Sequence, residues 1–167
     1  MKHILTILME NEAGALSRIV GLFSQRGYNI DSLCVAKTDD PTLSRLTICT
    51  TGDAKVLEQI TKHVNKLIDV LRVKNITEQE HVERELILVK ILTPNSSVKT
   101  GIKRTADIFR AQIIDVCNDC YTVQMAGQPS KLKAFVEALK QEAGVIEVVR
   151  SGTIGVLRGK NVLRPKQ

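Results

Sequence analysis

Apolar residues recur along the start of the chain, first with the period of a strand and then with that of a helix. The short apolar run Ile4–Met9 ends in a polar turn, which predicts a strand buried on at least one face. Arg26-Gly27 supplies a helix stop. Between this strand and the helix stop, apolar residues after Gly14 repeat at the spacing of one helical face: Leu16, Ile19, Val20 and Phe23.

The same alternation continues to residue 76. Asn29–Lys37 and Leu43–Thr51 predict two strands, and the turn residues between them favour an antiparallel hairpin. A second helical stripe follows Asp53, the expected N-cap, and Ile68–Lys74 predicts a short last strand. Residues 1–76 are therefore expected to fold in the order βαββαβ.

This order repeats after a polar stretch. Residues 77–84 are expected to be a linker, and residues 85–157 again predict strand, helix, two strands, helix and strand. Val145–Arg150 matches Leu67–Arg72 in pattern, as the last strands of two related units would. The predicted fold class is α+β, with two ferredoxin-like βαββαβ domains in tandem and a basic tail at 158–167.

The hairpin of the first domain carries apolar residues at positions that we assign to both faces of the sheet: Ile30, Leu33, Val35, Leu46 and Ile48. Helices cover only one face of a ferredoxin-like sheet. We therefore expect the other face or an edge to be covered by a second copy or a partner, and a homodimer is the simplest arrangement.

A positive net charge is typical of proteins that bind nucleic acid, but most of the charge of this chain lies at its C-terminal end. The formal charge is +6, of which residues 1–76 contribute +2, residues 77–149 contribute −1 and residues 150–167 contribute +5. An RNA-binding ferredoxin-like protein of the RRM type is the alternative hypothesis. Leu43–Thr51, the strand on which such a protein would stack bases, contains no aromatic residue. We therefore expect no nucleic-acid partner.

Neither a membrane span nor a signal peptide is apparent in the sequence. No apolar run approaches the roughly 20 residues of a membrane span, and the N-terminus lacks the long apolar segment of a signal peptide. We expect a cytoplasmic protein without membrane association, and its four cysteines are expected to be reduced thiols.

Candidate catalytic groups are sparse. His3, His63 and His81 stand in no recognised spacing with a cysteine or serine, and solvated or edge positions are expected for them. Cys117 and Cys120 enclose two turn residues, which favours a hairpin over a redox motif at a helix start or a zinc site. No catalytic or metal-binding residue is expected.

The first strand-to-helix turn is the segment with the clearest binding chemistry. A helix start presents unpaired backbone N–H groups with partial positive charge, and Gly14 has no Cβ to hinder the approach of a carboxylate. Asn29 could offer an amide donor and acceptor to an amino-acid ligand. By spacing alone, a plain turn is the favoured interpretation of both segments.

Three segments resemble a known family more closely than pattern alone requires. Residues 11–18 (NEAGALSR), 21–30 (GLFSQRGYNI) and 42–47 (TLSRLT) resemble the small regulatory subunits of acetolactate (acetohydroxyacid) synthase, and the similarity continues more loosely through 81–85 and 151–152. The resemblance implies an N-terminal ACT domain at 1–76, dimerisation and feedback inhibition by valine or a related branched-chain amino acid.

The same resemblance implies that this chain is not an enzyme. Catalysis would belong to a separate large subunit, which this chain would activate. Thiamine diphosphate and magnesium are expected only in that subunit, and this chain should hold no cofactor. Carried over by motif, one copy would hold the effector through Asn11, Gly14, Ala15 and Leu16, and the second copy would contribute Asn29 and Ile30.

Overall fold

The computed structural model describes residues 1–165. The chain divides into two compact units. The first comprises Met1–Val82 together with the chain from Thr153 onward, and the second comprises Glu83–Gly152. None of the helices in residues 1–165 combines the length and the apolar character that a membrane span requires.

The first unit contains a four-stranded antiparallel sheet with the strand order β2-β3-β1-β4. Its buried core joins one face of this sheet to both helices, so the predicted ferredoxin-like βαββαβ arrangement is confirmed. The elements are β1 (Lys2–Glu10), α1 (Ala15–Gln25), β2 (Ile30–Lys37), β3 (Leu43–Thr51), α2 (Ala54–Val64) and β4 (Val70–Asn75).

Local sequence signals explain most of these boundaries. The Asp53 carboxylate accepts hydrogen bonds from the N–H groups of Lys55 and Val56, so the predicted N-cap of α2 is confirmed. Gly27 has a φ of +65° just after α1, where its lack of a Cβ permits the helix to stop. β4 begins two residues later than predicted, because Val70 closes a turn by donating to the carbonyl of Leu67.

The apolar side chains of the β2–β3 hairpin share one face of the sheet. Leu33 pairs with Ile48 and Val35 with Leu46, so the members of each pair lie on the same face. Leu46 and Ile48 are fully buried against the helices, and a register shift just after Ile30 brings that residue to the same side. The expectation of apolar residues on both faces is wrong, so the hairpin pattern gives no evidence for a second copy.

The second unit repeats the architecture with the strand order β6-β7-β5-β8. Its core again joins one sheet face to two helices, through residues such as Val89, Ile102 and Phe135. The Oδ1 atom of Asn95 accepts the N–H of Val98 and caps the first helix of the unit. The elements are β5 (His81–Leu92), α3 (Ser96–Phe109), β6 (Gln112–Val116), β7 (Cys120–Gly127), α4 (Pro129–Glu142) and β8 (Val145–Arg150).

Two segments differ from the sequence analysis. Residues 81–84 lie in β5 rather than in the predicted linker. Residues 153–157, expected in the second domain, belong to the first unit and contain a ninth strand, β9 (Ile154–Leu157). β9 is anchored where the Nη2 atom of Arg45 donates to the carbonyl of Gly155 at 2.8 Å. Leu157 packs in a small cluster with Ile4, Cys49 and Ile76.

Candidate functional site

The turn between β1 and α1 is held to β3 by Asn11. The backbone N–H of Asn11 donates to the carbonyl of Thr42 at 2.8 Å, and its Nδ2 donates to the carbonyl of Pro41 at 3.1 Å. Its Oδ1 accepts the hydroxyl of Ser44 at 3.1 Å. Asn11 itself is exposed, so its amide is oriented by β3 at the surface.

Helix α1 begins without a side-chain cap. Gly14 occupies the N-cap position with a φ of +85°, and no side chain bonds the first-turn N–H groups. Helices α2 and α3 are capped by Asp53 and Asn95, whereas α4 also begins without a side-chain cap. Ala15 is buried and Leu16 is half-buried against the core, so the turn is anchored while its backbone donors stay uncapped by side chains.

Arg18 lies over this turn and is bound to a buried acid. Its Nε atom donates to Oδ2 of Asp69 at 2.6 Å. The Asp69 side chain is 8% exposed and that of Arg18 is 48% exposed. The hydrogen bond to Asp69 is the largest cause of the raised pKa of the Arg18 guanidinium, so Arg18 carries a positive charge. The backbone of Asp69 also accepts the N–H of Glu10 at 2.7 Å, which joins the acid to the end of β1.

Asn29 and Ile30 lie just beyond the other end of α1. The Asn29 carbonyl accepts the hydroxyl of Thr50 at 2.5 Å, and its Nδ2 lies 3.4 Å from Oδ1 of Asp31. Asn29 is exposed, whereas Ile30 is half-buried against the core. This segment therefore presents an amide at the surface beside an apolar side chain.

The predicted effector-binding residues form two groups that a single chain does not bring together. Asn11 bonds to Ser44 at the start of β3, while Asn29 bonds to Thr50 near its end. Six residues of an antiparallel strand separate these contacts, which is a distance of about 20 Å. The two groups also flank opposite ends of α1. Within one chain, each group is half of the predicted site.

The three histidines do not form part of a catalytic or metal-binding cluster in the described residues. His63 lies 2.9 Å from the Arg26 guanidinium, and His81 bonds the carbonyl of Gln79. His3 is 3% exposed on the inner strand β1, so the expectation of a solvated or edge position is wrong for it. Among residues 1–165, no group of three or more histidine, cysteine or acidic side chains is arranged to hold a metal ion.

The Cys117–Cys120 pair forms the predicted hairpin turn. The N–H of Cys117 donates to the carbonyl of Cys120 at 2.9 Å, between the end of β6 and the start of β7. Asp115 is the largest cause of a raised pKa of the Cys117 thiol. A raised pKa disfavours the thiolate that redox catalysis and metal binding require.

Sequence reasoning missed the Arg18–Asp69 ion pair. The partners are separated by 51 positions, so no helical or strand spacing connects them. The only local signal is a basic residue in the first turns of a helix whose opening turn contains no acid, which is an unfavourable position for a cation.

Comparisons with known proteins agree across the chain. Residues 5–72 match a family described as the AHAS small subunit-like ACT domain, and residues 84–159 match one described as the small subunit of acetolactate synthase. The acetolactate synthase small subunit of Haemophilus influenzae is 58% identical, over 98% of this chain and all of that protein. The isozyme 3 small subunit of Escherichia coli is 56% identical with the same coverage.

A solved structure has the same fold over nearly the whole chain. The crystal structure of the acetolactate synthase small subunit from Thermotoga maritima superimposes with a TM-score of 0.86 at 34% identity, covering 96% of this chain and 99% of that one. With these matches, the chain belongs to the family of acetolactate synthase small subunits, ACT-domain proteins with a regulatory role in branched-chain amino-acid biosynthesis.

Proposed function

We propose that this protein senses valine, or a related branched-chain amino acid, between the ACT units of two copies and passes that state to a catalytic subunit that it also activates. The observation that carries the proposal is the separation of the two predicted half-sites within one chain, by about 20 Å along β3. A ligand that contacts both half-sites needs a second copy.

The chemistry of each half-site suits one part of an amino acid. The uncapped start of α1 offers backbone N–H groups and partial positive charge to a carboxylate, and the exposed Asn11 amide lies beside it. Asn29 would complete the polar contacts from the second copy. The half-buried Leu16 and Ile30 supply apolar surface for a branched side chain.

A site shared by two chains provides a mechanism of regulation without covalent chemistry. A ligand that binds both half-sites favours the dimer geometry that brings them together, and the catalytic subunit would respond to that geometry. The thiamine diphosphate and magnesium used in the reaction would belong to the catalytic subunit, with no cofactor on this chain. We place this assembly in the cytoplasm.

A reconstitution assay tests the function directly. Acetolactate formation by the catalytic subunit is measured alone, with this protein, and with this protein plus valine. We expect stimulation in the second case and inhibition in the third. If this protein leaves the catalytic subunit unaffected in both cases, the proposed function is wrong.

Mixing two defective chains tests the shared site. Asn11→Asp and Asn29→His should each abolish most valine binding in a homodimer, because one substitution repels the ligand carboxylate and the other removes the amide. A mixed dimer would contain one intact site and one doubly substituted site. After subunit exchange is verified by native mass spectrometry, calorimetry should recover about a quarter of the wild-type sites, since half of the dimers are mixed.

The control for this experiment is Asn118→His, in the exposed turn of the β6–β7 hairpin. It makes the same chemical change in the second unit and should leave valine binding unchanged. If the mixture of defective chains binds no more valine than either chain alone, the half-sites do not come from different copies.

The RNA-binding alternative is not favoured. The inner strands β1 and β3 of the first sheet carry no Phe, Tyr or Trp on which a base could stack, and the one histidine, His3, is buried. On the face away from the helices, Ile4 and Cys49 are buried against Ile76 and Leu157. That part of the sheet is therefore occupied by the chain itself.

A further inference from the structure

The Arg18 guanidinium lies close to the turn at Gly14, with Nη1 as its nearest nitrogen. A Cβ built on Gly14 would lie 2.9 Å from Nη1 of Arg18 and 3.7 Å from Nη2. The Asp69 carboxylate is bound instead by Nε. The buried acid thus binds Nε, and Nη1 is the guanidinium nitrogen nearest the start of α1.

The position of Arg18 is electrostatically unfavourable for the helix alone. The start of a helix carries partial positive charge, and cations are stabilising at the opposite end. Helix α1 has no acidic residue in its first turn to offset Arg18. Asp69 compensates the charge through a hydrogen bond, and the exposed Glu12 adds a weaker attraction.

The geometry suits recognition of a carboxylate rather than of any small polar group. An arginine fork donates two parallel hydrogen bonds to a carboxylate, and charge-assisted bonds of this kind are about twice as strong as neutral ones. A neutral amide offers one acceptor oxygen and two donor hydrogens, which the guanidinium cannot accept. An arginine fixed at this place would therefore discriminate by charge.

We propose that Arg18 is the residue by which this protein selects an effector that carries a carboxylate, and that Asp69 is the positioning residue that orients it. This inference rests on the proposed function, because it assumes that the effector lies at the Gly14 turn. The competing explanation is that the Arg18–Asp69 pair only ties α1 to the segment before β4.

A matched pair of ligands separates these explanations. L-Valine and L-valinamide differ in the carboxylate, which the amide replaces with a neutral group of similar shape. Affinities of both for the full-length protein are measured by calorimetry for the wild type and for Arg18→Gln. We expect the variant to lose about 10- to 100-fold in affinity for valine and to change little for valinamide, because only the charged group loses its partner.

Two further variants control for the effect of Arg18→Gln on the buried Asp69 carboxylate. Arg18→Gln leaves the Asp69 carboxylate without its cation, which could unfold the unit. The double variant Arg18→Gln/Asp69→Asn replaces the ion pair with two neutral amides and should show the same loss of discrimination in a folded protein. Asp69→Asn alone keeps the cation but loosens its orientation, and we expect it to reduce the preference for valine to a smaller extent.

The outcomes are distinguishable. If the folded double variant keeps the wild-type ratio of valine to valinamide affinities, or loses affinity for both ligands equally, Arg18 does not select the carboxylate. If the wild type binds valine without any preference over valinamide, the assignment fails in the same way. If the wild type binds neither ligand, the proposed valine sensor is wrong, and the role of Arg18 at that site is rejected with it.

Discussion

At the scale of single residues, Gly14 illustrates how a backbone angle restricts the amino acid. Its φ of +85° is in the left-handed region, which side chains other than glycine adopt only with strain. A Cβ would also meet the Arg18 guanidinium at 2.9 Å. The left-handed conformation therefore requires glycine at this turn, and a Cβ would in addition displace the end of the flexible Arg18 side chain.

Gly14→Asp should abolish valine binding in calorimetry. The new carboxylate would occupy the region proposed for the carboxylate of the ligand and would pair with Arg18. The left-handed conformation adds about 1 kcal/mol of strain. Gly159→Asp is the matched control, because Gly159 has a φ of +67° with no atom within 4 Å of a built Cβ. Normal valine binding by Gly14→Asp would show that the effector lies elsewhere.

Cys117 should be a slow nucleophile at neutral pH. The raised pKa of its thiol, caused first by Asp115, means that less thiolate is present at a given pH than for an ordinary cysteine. Asp115→Asn should lower that pKa and accelerate alkylation by iodoacetamide, followed at Cys117 by peptide mass spectrometry across a pH series. Asp119→Asn should have a smaller effect, since Asp119 contributes least. Equal rates in the wild type and in Asp115→Asn would contradict the electrostatic explanation.

At the scale of elements, β9 shows what hydrophobic pattern misses. The strand is only four residues long, and its neighbours in the first unit lie far back in the sequence. Arg45 contacts Gly155 across 110 positions, and Thr153 donates to Ser32 across 121. A four-residue run carries too little periodicity to identify a strand, and nothing in its composition identifies the unit to which it returns.

Leu157→Ala should destabilise the first unit by about 2–4 kcal/mol, because it removes a buried side chain from its small cluster. The measurement is the free energy of unfolding of the full chain in denaturant. Val156→Ala is the control on the neighbouring residue, which is 49% exposed and should change stability by less than about 0.5 kcal/mol. A change of less than about 0.5 kcal/mol for Leu157→Ala as well would mean that β9 contributes little to the unit.

Other elements were predictable because their signals are local. The α2 N-cap needs only Asp53 and the two N–H groups that follow it, and the β6–β7 hairpin needs only two turn residues between strands. The hairpin of β2 and β3 was predicted at the correct place, but its faces were not. One register shift after Ile30 brings that side chain to the face covered by the helices, and the spacing of residues does not predict such a shift.

At the scale of the whole molecule, the basic C-terminal segment is smaller than counting indicates. Arg150 belongs to β8 and pairs with Glu85 at 3.2 Å, so it is part of the second unit. The remaining basic residues of the predicted tail are Arg158, Lys160, Arg164 and Lys166, of which Lys166 lies outside the described residues. Arg158 donates its backbone N–H to the carbonyl of Glu80, so the tail begins at an anchored residue.

The basic tail is either a solubilising end or a docking strip for an acidic surface of the catalytic subunit; in the second case, deleting residues 160–167 should make stimulation of that subunit less sensitive to salt. Attraction between exposed charges is screened over about 8 Å at physiological ionic strength. This deletion spares the bond between Arg158 and Glu80. A full-length chain with Lys160, Arg164 and Lys166 changed to glutamine separates charge from length. If the salt dependence of stimulation is unchanged in both variants, the tail does not dock on the catalytic subunit and only solubilises the protein.

The sequence by itself determined the two βαββαβ units, the cap of α2 and the family, because periodicity and motifs lie within short stretches of chain. Tertiary structure alone decided that Asn11 and Asn29 lie at opposite ends of β3, that Asp69 binds Arg18, and that β9 returns to the first unit. These are contacts between residues distant in sequence. A local pattern reports which side of an element is apolar, but the partner of a polar side chain depends on how the elements pack together.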